Sequence, residues 1–230
     1  MPHLFHHPLC PHSRFVRLAL AEYGIEAELI EERAHERRED FLVIDPAGRT
    51  PVLVADGGLV VSGAGVIAEW LDEAFGATNP SGRLLPADIA GRVETRRLLE
   101  WFNQKMFAEV TEWLVTEKVY RRFMTSAQGG GGPDMGVVRA ARSNIRHHLG
   151  YIGYLVSDRN WLAGPRMTFA DLAAAAHLSC ADYLGDVPWA ENDLAKAWYQ
   201  KIKSRPSFRS ILADRVLGMA PGPEYADLDF

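Results

Sequence analysis

The sequence predicts an α/β N-terminal domain followed by an all-helical domain, on three observations. Near the N-terminus a short apolar run leads into a turn and a helix, and two further apolar runs flank Gly57-Gly58. Residues 76–86 are rich in Gly, Pro, Asn and Ser, a composition shift that marks a boundary. Beyond it, apolar residues recur at helical spacing over most of the chain. The expected organisation is 1–76 for the α/β domain, 77–86 for a linker, 87–217 for the helical domain and 218–230 for a tail.

In order, Leu4-Phe5-His6-His7 reads as a strand and residues 8–11 as a turn. Residues 13–24 read as a helix with Phe15, Leu18 and Ala19 on one face and Gly24 as its stop. Apolar and acidic residues alternate over 25–30, which predicts a half-buried strand. Residues 31–40 are densely charged with both signs and read as a solvated loop or exposed helix, with Arg37 and Arg38 as a secondary candidate for partner contact. A proline that follows the Gly48 turn and opens Val52-Leu53-Val54 suits the first position of a strand, because it has no N–H to donate. Residues 52–54 and 59–61 then form a hairpin, and 64–75 a helix with Ile67, Trp70, Leu71 and Ala74 on one face.

Residues 87–123 have helical spacing with Gly91 as the sole internal Gly or Pro, and their Trp101, Phe102, Phe107 and Trp113 are expected in the core, with a ligand-facing aromatic set as the alternative. Gly129 to Pro133 interrupts the helices; no Lys-Ser or Lys-Thr follows, so it is not a phosphate loop. Residues 137–156 resume a helix. Thr168-Phe169-Ala170-Asp171 is a capping box, with Asp in place of the usual Glu or Gln, in front of an almost wholly apolar helix over 172–184. Helices at 194–202 and 207–216 are divided by Arg205-Pro206.

Composition excludes several classes. The 230 residues are 47% hydrophobic and 24% charged, ordinary for a globular protein, and the net charge of −5 with no basic stripe argues against nucleic acid. Cys10 and Cys180 are too far apart in sequence for a disulfide framework or metal-ligand spacing, and the adjacent pair His147-His148 does not share a helical face, so no metal is expected. No signal peptide or membrane span is visible, and a cytoplasmic location is expected.

Cys10 is the leading candidate nucleophile. A cysteine just before a helix faces unpaired amides and the positive end of the dipole, which favour the thiolate. Ser13 is the second candidate, with helix capping as its alternative role.

The order strand, Cys10-Pro11 turn, helix, strand, Thr50-Pro51 and hairpin, together with Leu84-Leu85-Pro86 and the Thr168 to Asp171 box, resembles the glutathione S-transferase family over the whole length of the chain. The resemblance implies a thioredoxin-like N-terminal domain and a cis Thr50–Pro51 bond beside the ligand groove. It implies a catalytic position at Cys10, a structural role for Thr168 and Asp171, and a homodimer. The family usually carries Glu-Ser or Gln-Ser at the start of the helix after the hairpin, where the side chains and helix amides receive the γ-glutamyl carboxylate of glutathione. Here Gly63 and Ala64 stand at those places. Two lost charge-assisted hydrogen bonds, at about 1.5 to 3 kcal/mol each, weaken a ligand by roughly a hundredfold or more. Ser62, one residue earlier, is the remaining side-chain donor for the groove. Glutathione is therefore an expected weak ligand, and no cofactor is required.

Within the family, the Gly63-Ala64 replacement and the Ala-Asp-Leu-Asp-Phe end resemble the transferase-like division regulators of alphaproteobacteria, which implies FtsZ filaments as partner at the division site. Asp227, Leu228, Asp229 and Phe230 combine apolar anchors with negative charge and are the candidate partner-binding residues, with Arg38 secondary. A strap folded back over the helical domain is the alternative for this tail. A glutathione or thiol transferase using Cys10 is the alternative function.

Overall fold

The computed structural model describes residues 1–78 and 82–230. Asn79, Pro80 and Ser81 of the expected linker lie outside the described residues. Strand β1 (His3–His6) leads through a turn to α1 (Pro11–Glu22), β2 (Glu28–Glu31), α2 (Glu39–Ile44), β3 (Val52–Val54), β4 (Val60–Ser62) and α3 (Ala64–Phe75). The sheet runs in the order β2-β1-β3-β4, with β1 parallel to β2 and antiparallel to β3, and β3 antiparallel to β4.

Alternation along β1 divides the two faces of the sheet. Leu4 joins Leu53, Val61, Ile67 and Leu71 in the main core, which α1 and α3 cover. Phe5, one residue on, packs instead with Val52 and with Phe41 of α2. The charged 31–40 segment is mostly exposed and carries one short turn of helix, Ala34–Glu36.

The second part begins with α4 (Ile89–Glu100), capped by Asp88. The chain stays helical to Phe123, but Trp101–Thr111 and Thr116–Tyr120 wind in wider π-type turns, separated by α5 (Glu112–Val115) and followed by α6 (Arg121–Phe123). Then come α7 (Met135–Ser157), α8 (Phe169–Tyr183), α9 (Asp193–Lys203) and α10 (Arg209–Leu212). Every residue of α8 is buried. Its box is formed: Asp171 Oδ2 accepts from the Thr168 amide at 2.9 Å, while Thr168 Oγ1 accepts from the Ala170 amide at 3.3 Å.

Two expectations are corrected. The strand expected over 25–30 forms only at Glu28–Glu31, because the Ile25 amide is taken by the Leu20 carbonyl at the end of α1. The helix expected over 207–216 shrinks to a tight turn at Pro206–Phe208 and α10. Side chains capture its carbonyls: Arg17 takes Ser210 O, Tyr225 takes Ile211 O and Arg215 takes Leu212 O.

The tail is a strap folded back on the helical domain. Tyr225 is fully buried and donates to Ile211 O at 2.5 Å, and its ring meets Tyr183 edge-on, centroids 4.9 Å apart. The buried Lys203 ammonium donates to the Glu224 and Asp227 carbonyls at 2.5 and 2.7 Å and lies 4.2 Å from the centroid of the Phe230 ring. Phe230, one of the candidate partner-binding residues, is half-buried against Trp189.

Candidate functional site

A cavity of about 920 Å³ lies between the N-terminal elements and the long helix over 89–123. Cys10, Pro11, His12, Thr50, Pro51 and residues 62–66 line one side; Asn103, Phe107, Thr111 and Tyr120 line the other. The Thr50–Pro51 bond at its edge is cis.

Cys10 is the N-cap of α1, and its sulfur takes the place a capping oxygen usually has. Sγ accepts from the Ser13 amide at 3.4 Å and lies 3.8 Å from Thr50 O. Burial alone would raise this thiol. The hydrogen bond and charge of His12, aided by Ser13, outweigh burial and bring it down to about 7.

His12 is the functional residue that sequence reasoning passed over, although it stands inside the Cys10-Pro11-His12-Ser13 turn. Its Nε2 lies 2.9 Å from Asn103 O, which as a carbonyl can only accept, so Nε2 carries the proton and Nδ1 is left for the thiol. Burial opposes charging of the ring, but the hydrogen bond and charge of Cys10 raise its pKa above the ordinary value. The pair can therefore carry its proton on sulfur or on Nδ1. Asn103 also fixes the next ring: its Oδ1 accepts from His177 Nε2 at 3.2 Å, and Thr111 Oγ1 meets His177 Nδ1 at 2.8 Å. His177 is fully buried, and burial holds it neutral.

Ser13 meets this site through its amide on Cys10 Sγ. Its side chain is fully buried, the hydroxyl accepts from the His7 amide at 3.3 Å, it does not line the cavity, and the cap of α1 is Cys10 rather than Ser13. The expected core aromatics also divide. Phe102 is fully buried, whereas Phe107 lines the cavity and meets the His12 ring at 4.6 Å.

The floor is built from the turn into α3. Gly63 is its N-cap at φ 90°, a backbone conformation that disfavours a side chain, and no side chain caps the helix. Ser62 donates to Asp45 Oδ1 at 3.0 Å, and Asp45 Oδ2 accepts the Arg49 amide at 3.2 Å. The hydroxyl proton of Ser62 is thus committed to a carboxylate of this chain. A glutathione molecule would find the open amides of a twelve-residue helix here, but neither side chain of the usual pair. Among the described residues no group of three His, Cys, Asp or Glu side chains could hold a metal ion.

The partner candidates lie elsewhere. Asp227, Leu228 and Asp229 are exposed along the strap, whose backbone Lys203 holds from beneath. Arg38 is half-exposed and donates to Oε2 of the buried Glu32 at 3.1 and 2.7 Å, so it is already engaged.

Comparison with known proteins agrees with this geometry. Residues 4–80 match the family model "Glutathione S-transferase, N-terminal domain", and residues 137–206 match "Glutathione S-transferase, C-terminal domain". The chain is 46% identical over 230 residues to FtsZ-localized protein A of Caulobacter vibrioides, covering 99% of this chain and 97% of that one. The solved structure of FzlA from C. crescentus superposes with a TM-score of 0.93 at 46% identity, covering 100% of this chain and 99% of that one. A crystal structure described as a glutathione S-transferase from Sinorhizobium meliloti 1021 superposes with a TM-score of 0.97 at 53% identity, covering 100% of both chains. This chain belongs to the glutathione S-transferase family, in the branch that includes FtsZ-localized protein A.

Proposed function

We infer that this protein binds FtsZ filaments and regulates bacterial cell division from the cytoplasm, with no need of glutathione. The observation that carries the reading is the floor of the groove. Where a carboxylate-holding pair is usual for the family, the chain has Gly63 and Ala64, and the adjacent Ser62 is turned to Asp45. The relationship at 46% identity to a protein named for its localisation with FtsZ supports the partner. The exposed edge Asp227-Leu228-Asp229 offers charge and one apolar side chain for contact, and Phe230 contributes only its exposed part.

A homodimer would carry two such edges and could bend or crosslink a filament through avidity. Exposed Val66 and Val93 lie one turn from Glu69 and Arg96, which join α3 to α4 at 2.8 Å, so the two valines form a neighbouring apolar surface for a second copy. Light scattering tests this directly, with a single-chain mass as the contrary result.

Co-sedimentation with GTP-assembled FtsZ tests the main reading. The wild-type chain is expected in the pellet and Asp227→Lys largely in the supernatant. Pelleting that Asp227→Lys leaves intact removes the strap from the proposal, and no pelleting of the wild type removes the partner. The thiol of Cys10 beside His12 favours a second reading, a thiol or glutathione transferase. Calorimetry with millimolar glutathione and a chlorodinitrobenzene assay address it: tight binding weakened by Ser62→Ala, with turnover lost in Cys10→Ala, would make that the better reading.

A further inference from the structure

Arg14 touches both the Cys10 turn and the strap. It is fully buried, and each nitrogen of its guanidinium has a partner: Nε donates to Pro8 O at 2.6 Å, one terminal nitrogen to Ser179 Oγ at 2.9 Å and the other to Asp214 Oδ2 at 3.3 Å. Its face is closed by aromatic rings, with the central carbon 5.6 Å from the Tyr225 centroid and 5.9 Å from that of Tyr183. Pro8 is two residues before Cys10, and the Arg14 amide itself donates to Cys10 O at 3.0 Å. Tyr225 belongs to the strap. One side chain therefore links the turn that carries Cys10 to the strap.

A buried guanidinium cannot shift without breaking hydrogen bonds or exposing its charge to a void, and either is costly. The Cys10 turn has no slack to absorb a change locally. The Cys10 amide is bound to His7 O at 3.0 Å, and Cys180 Sγ is 3.4 Å from Leu9 O. A group added to the sulfur enters the cavity but disturbs the Ser13 amide bond to Sγ and the Sγ contact with Thr50 O, and the turn that shifts in response moves Pro8 O against Arg14 and Arg14 against Tyr225. Conversely, a strap that lifts off opens the aromatic face of Arg14 to water and frees the turn.

We propose that the Cys10 turn and the C-terminal strap are one coupled unit joined through Arg14, so that an adduct on the Cys10 sulfur loosens residues 222–230 and release of the strap alters the reactivity of Cys10. The class of ligand that would use the coupling is a soft carbon electrophile small enough for the cavity. Linkage makes the two directions equal in free energy. The coupling adds regulation to the filament-binding reading, and neither arm of its test uses FtsZ, so failure here is distinct from failure of that reading.

The test uses the full chain with iodoacetamide as probe. The thiolate sulfur forms the new S–C bond, iodide leaves with the C–I electron pair, and the thiol proton passes to His12 or to water. Amide hydrogen exchange is followed in peptides from 222–230 and, as a reference, from α7. Alkylated wild type is expected to exchange its strap roughly fivefold faster or more, the lower end of coupling between linked sites, with α7 unchanged. Cys10→Ser treated in the same way is expected to show no change. Unchanged strap exchange after complete alkylation, or equal acceleration everywhere, overturns the proposal. In the second arm, Lys203→Met removes the ammonium that holds the Glu224 and Asp227 carbonyls without touching Arg14. A folded Lys203→Met chain with a fast-exchanging strap is expected to shift the midpoint pH of Cys10 alkylation by about 0.7 or more, a fivefold change in an equilibrium constant, and an unchanged midpoint overturns the proposal. Should that variant fail to fold, the first arm decides alone.

Discussion

Trp198 of α9 donates its indole N–H to Asp171 Oδ1 at 3.0 Å, so the box that starts α8 also fastens the neighbouring helix. The same carboxylate accepts the Leu162 amide at 2.9 Å and the Thr168 amide at 2.9 Å, all of it buried. Asp171→Ala leaves several buried donors without partners, and a cost of about 3 kcal/mol or more is expected in urea unfolding. Trp198→Phe removes one donor and keeps the ring, so about 1 kcal/mol is expected. Equal losses in the two variants would mean that the bulk of Trp198, and not the carboxylate, holds the two helices.

His148 supplies a pH prediction. Fully buried, it accepts from Trp101 Nε1 through Nδ1 and donates from Nε2 to Glu109, and burial holds its pKa down to about 4 against 6.5 for the free ring. A folded value below the unfolded one means that the unfolded chain binds more protons between those pH values. The stability is therefore present above about pH 6.5 and is lost as the pH falls toward 4. At pH 5 this group alone costs roughly 2 kcal/mol relative to pH 7. His6 and His7, also lowered to about 4 by burial, act in the same direction. The share of His148 is read as the difference in pH dependence between wild type and His148→Gln, whose curve should be flatter; parallel curves would refute it.

The thiol makes a third. Alkylation of Cys10 followed by mass spectrometry should show a rate midpoint near pH 7, while Cys180, which burial pushes up to about 12, stays unmodified in the folded chain. His12→Ala should move the midpoint upward toward the ordinary cysteine value of about 8.5. A midpoint that does not move would assign the activation to the start of α1 alone.

Two glycines of α7 should respond in opposite ways to alanine. An added Cβ at Gly153 would lie 2.5 Å from Asn192 Oδ1, the atom that caps α9 by accepting the Ala195 amide at 2.9 Å. The gain in helix propensity is about 1 kcal/mol, whereas overpacking and a lost cap cost about 1 to 3 and 0.5 to 2 kcal/mol, so Gly153→Ala should be destabilising. At Gly150 an added Cβ meets nothing within 4 Å, and Gly150→Ala should raise the melting temperature. The two variants run side by side in one thermal scan make the comparison.

What could be read from the sequence was local. The helix at 64–75 and the Thr168 to Asp171 box depend on spacing and caps a few residues apart, and the empty places at Gly63 and Ala64 are the lack of side chains itself. Contacts between distant parts were hidden. His12 is held by a carbonyl 91 residues away, and the α1 position of Arg14 gave no sign that Tyr225 would cover it. Lys203 reads as an ordinary cation in the last turn of a helix, and only the strap laid over it makes it a buried clamp. The wide turns of 101–111 were equally invisible, because no Gly or Pro marks them.

Those wide turns have a consequence for how the cavity can change over time. Leu99, Asn103, Phe107, Thr111 and Val115 face it at intervals of four residues. In a regular helix of 3.6 residues per turn, each such step drifts by about 40°, so a row of five would wind roughly 160° away from its starting side. The π-type stretch underwinds the helix and holds Asn103, Phe107 and Thr111 closer to one line, while Leu99 and Val115 extend the row from α4 and α5, like rungs of a ladder. Leu99, Phe107 and Val115 can each be exchanged without breaking a side-chain hydrogen bond, whereas Asn103 and Thr111 also hold the buried His177, so this wall can be refitted to a new occupant through its apolar rungs while the polar ones keep the scaffold as it is.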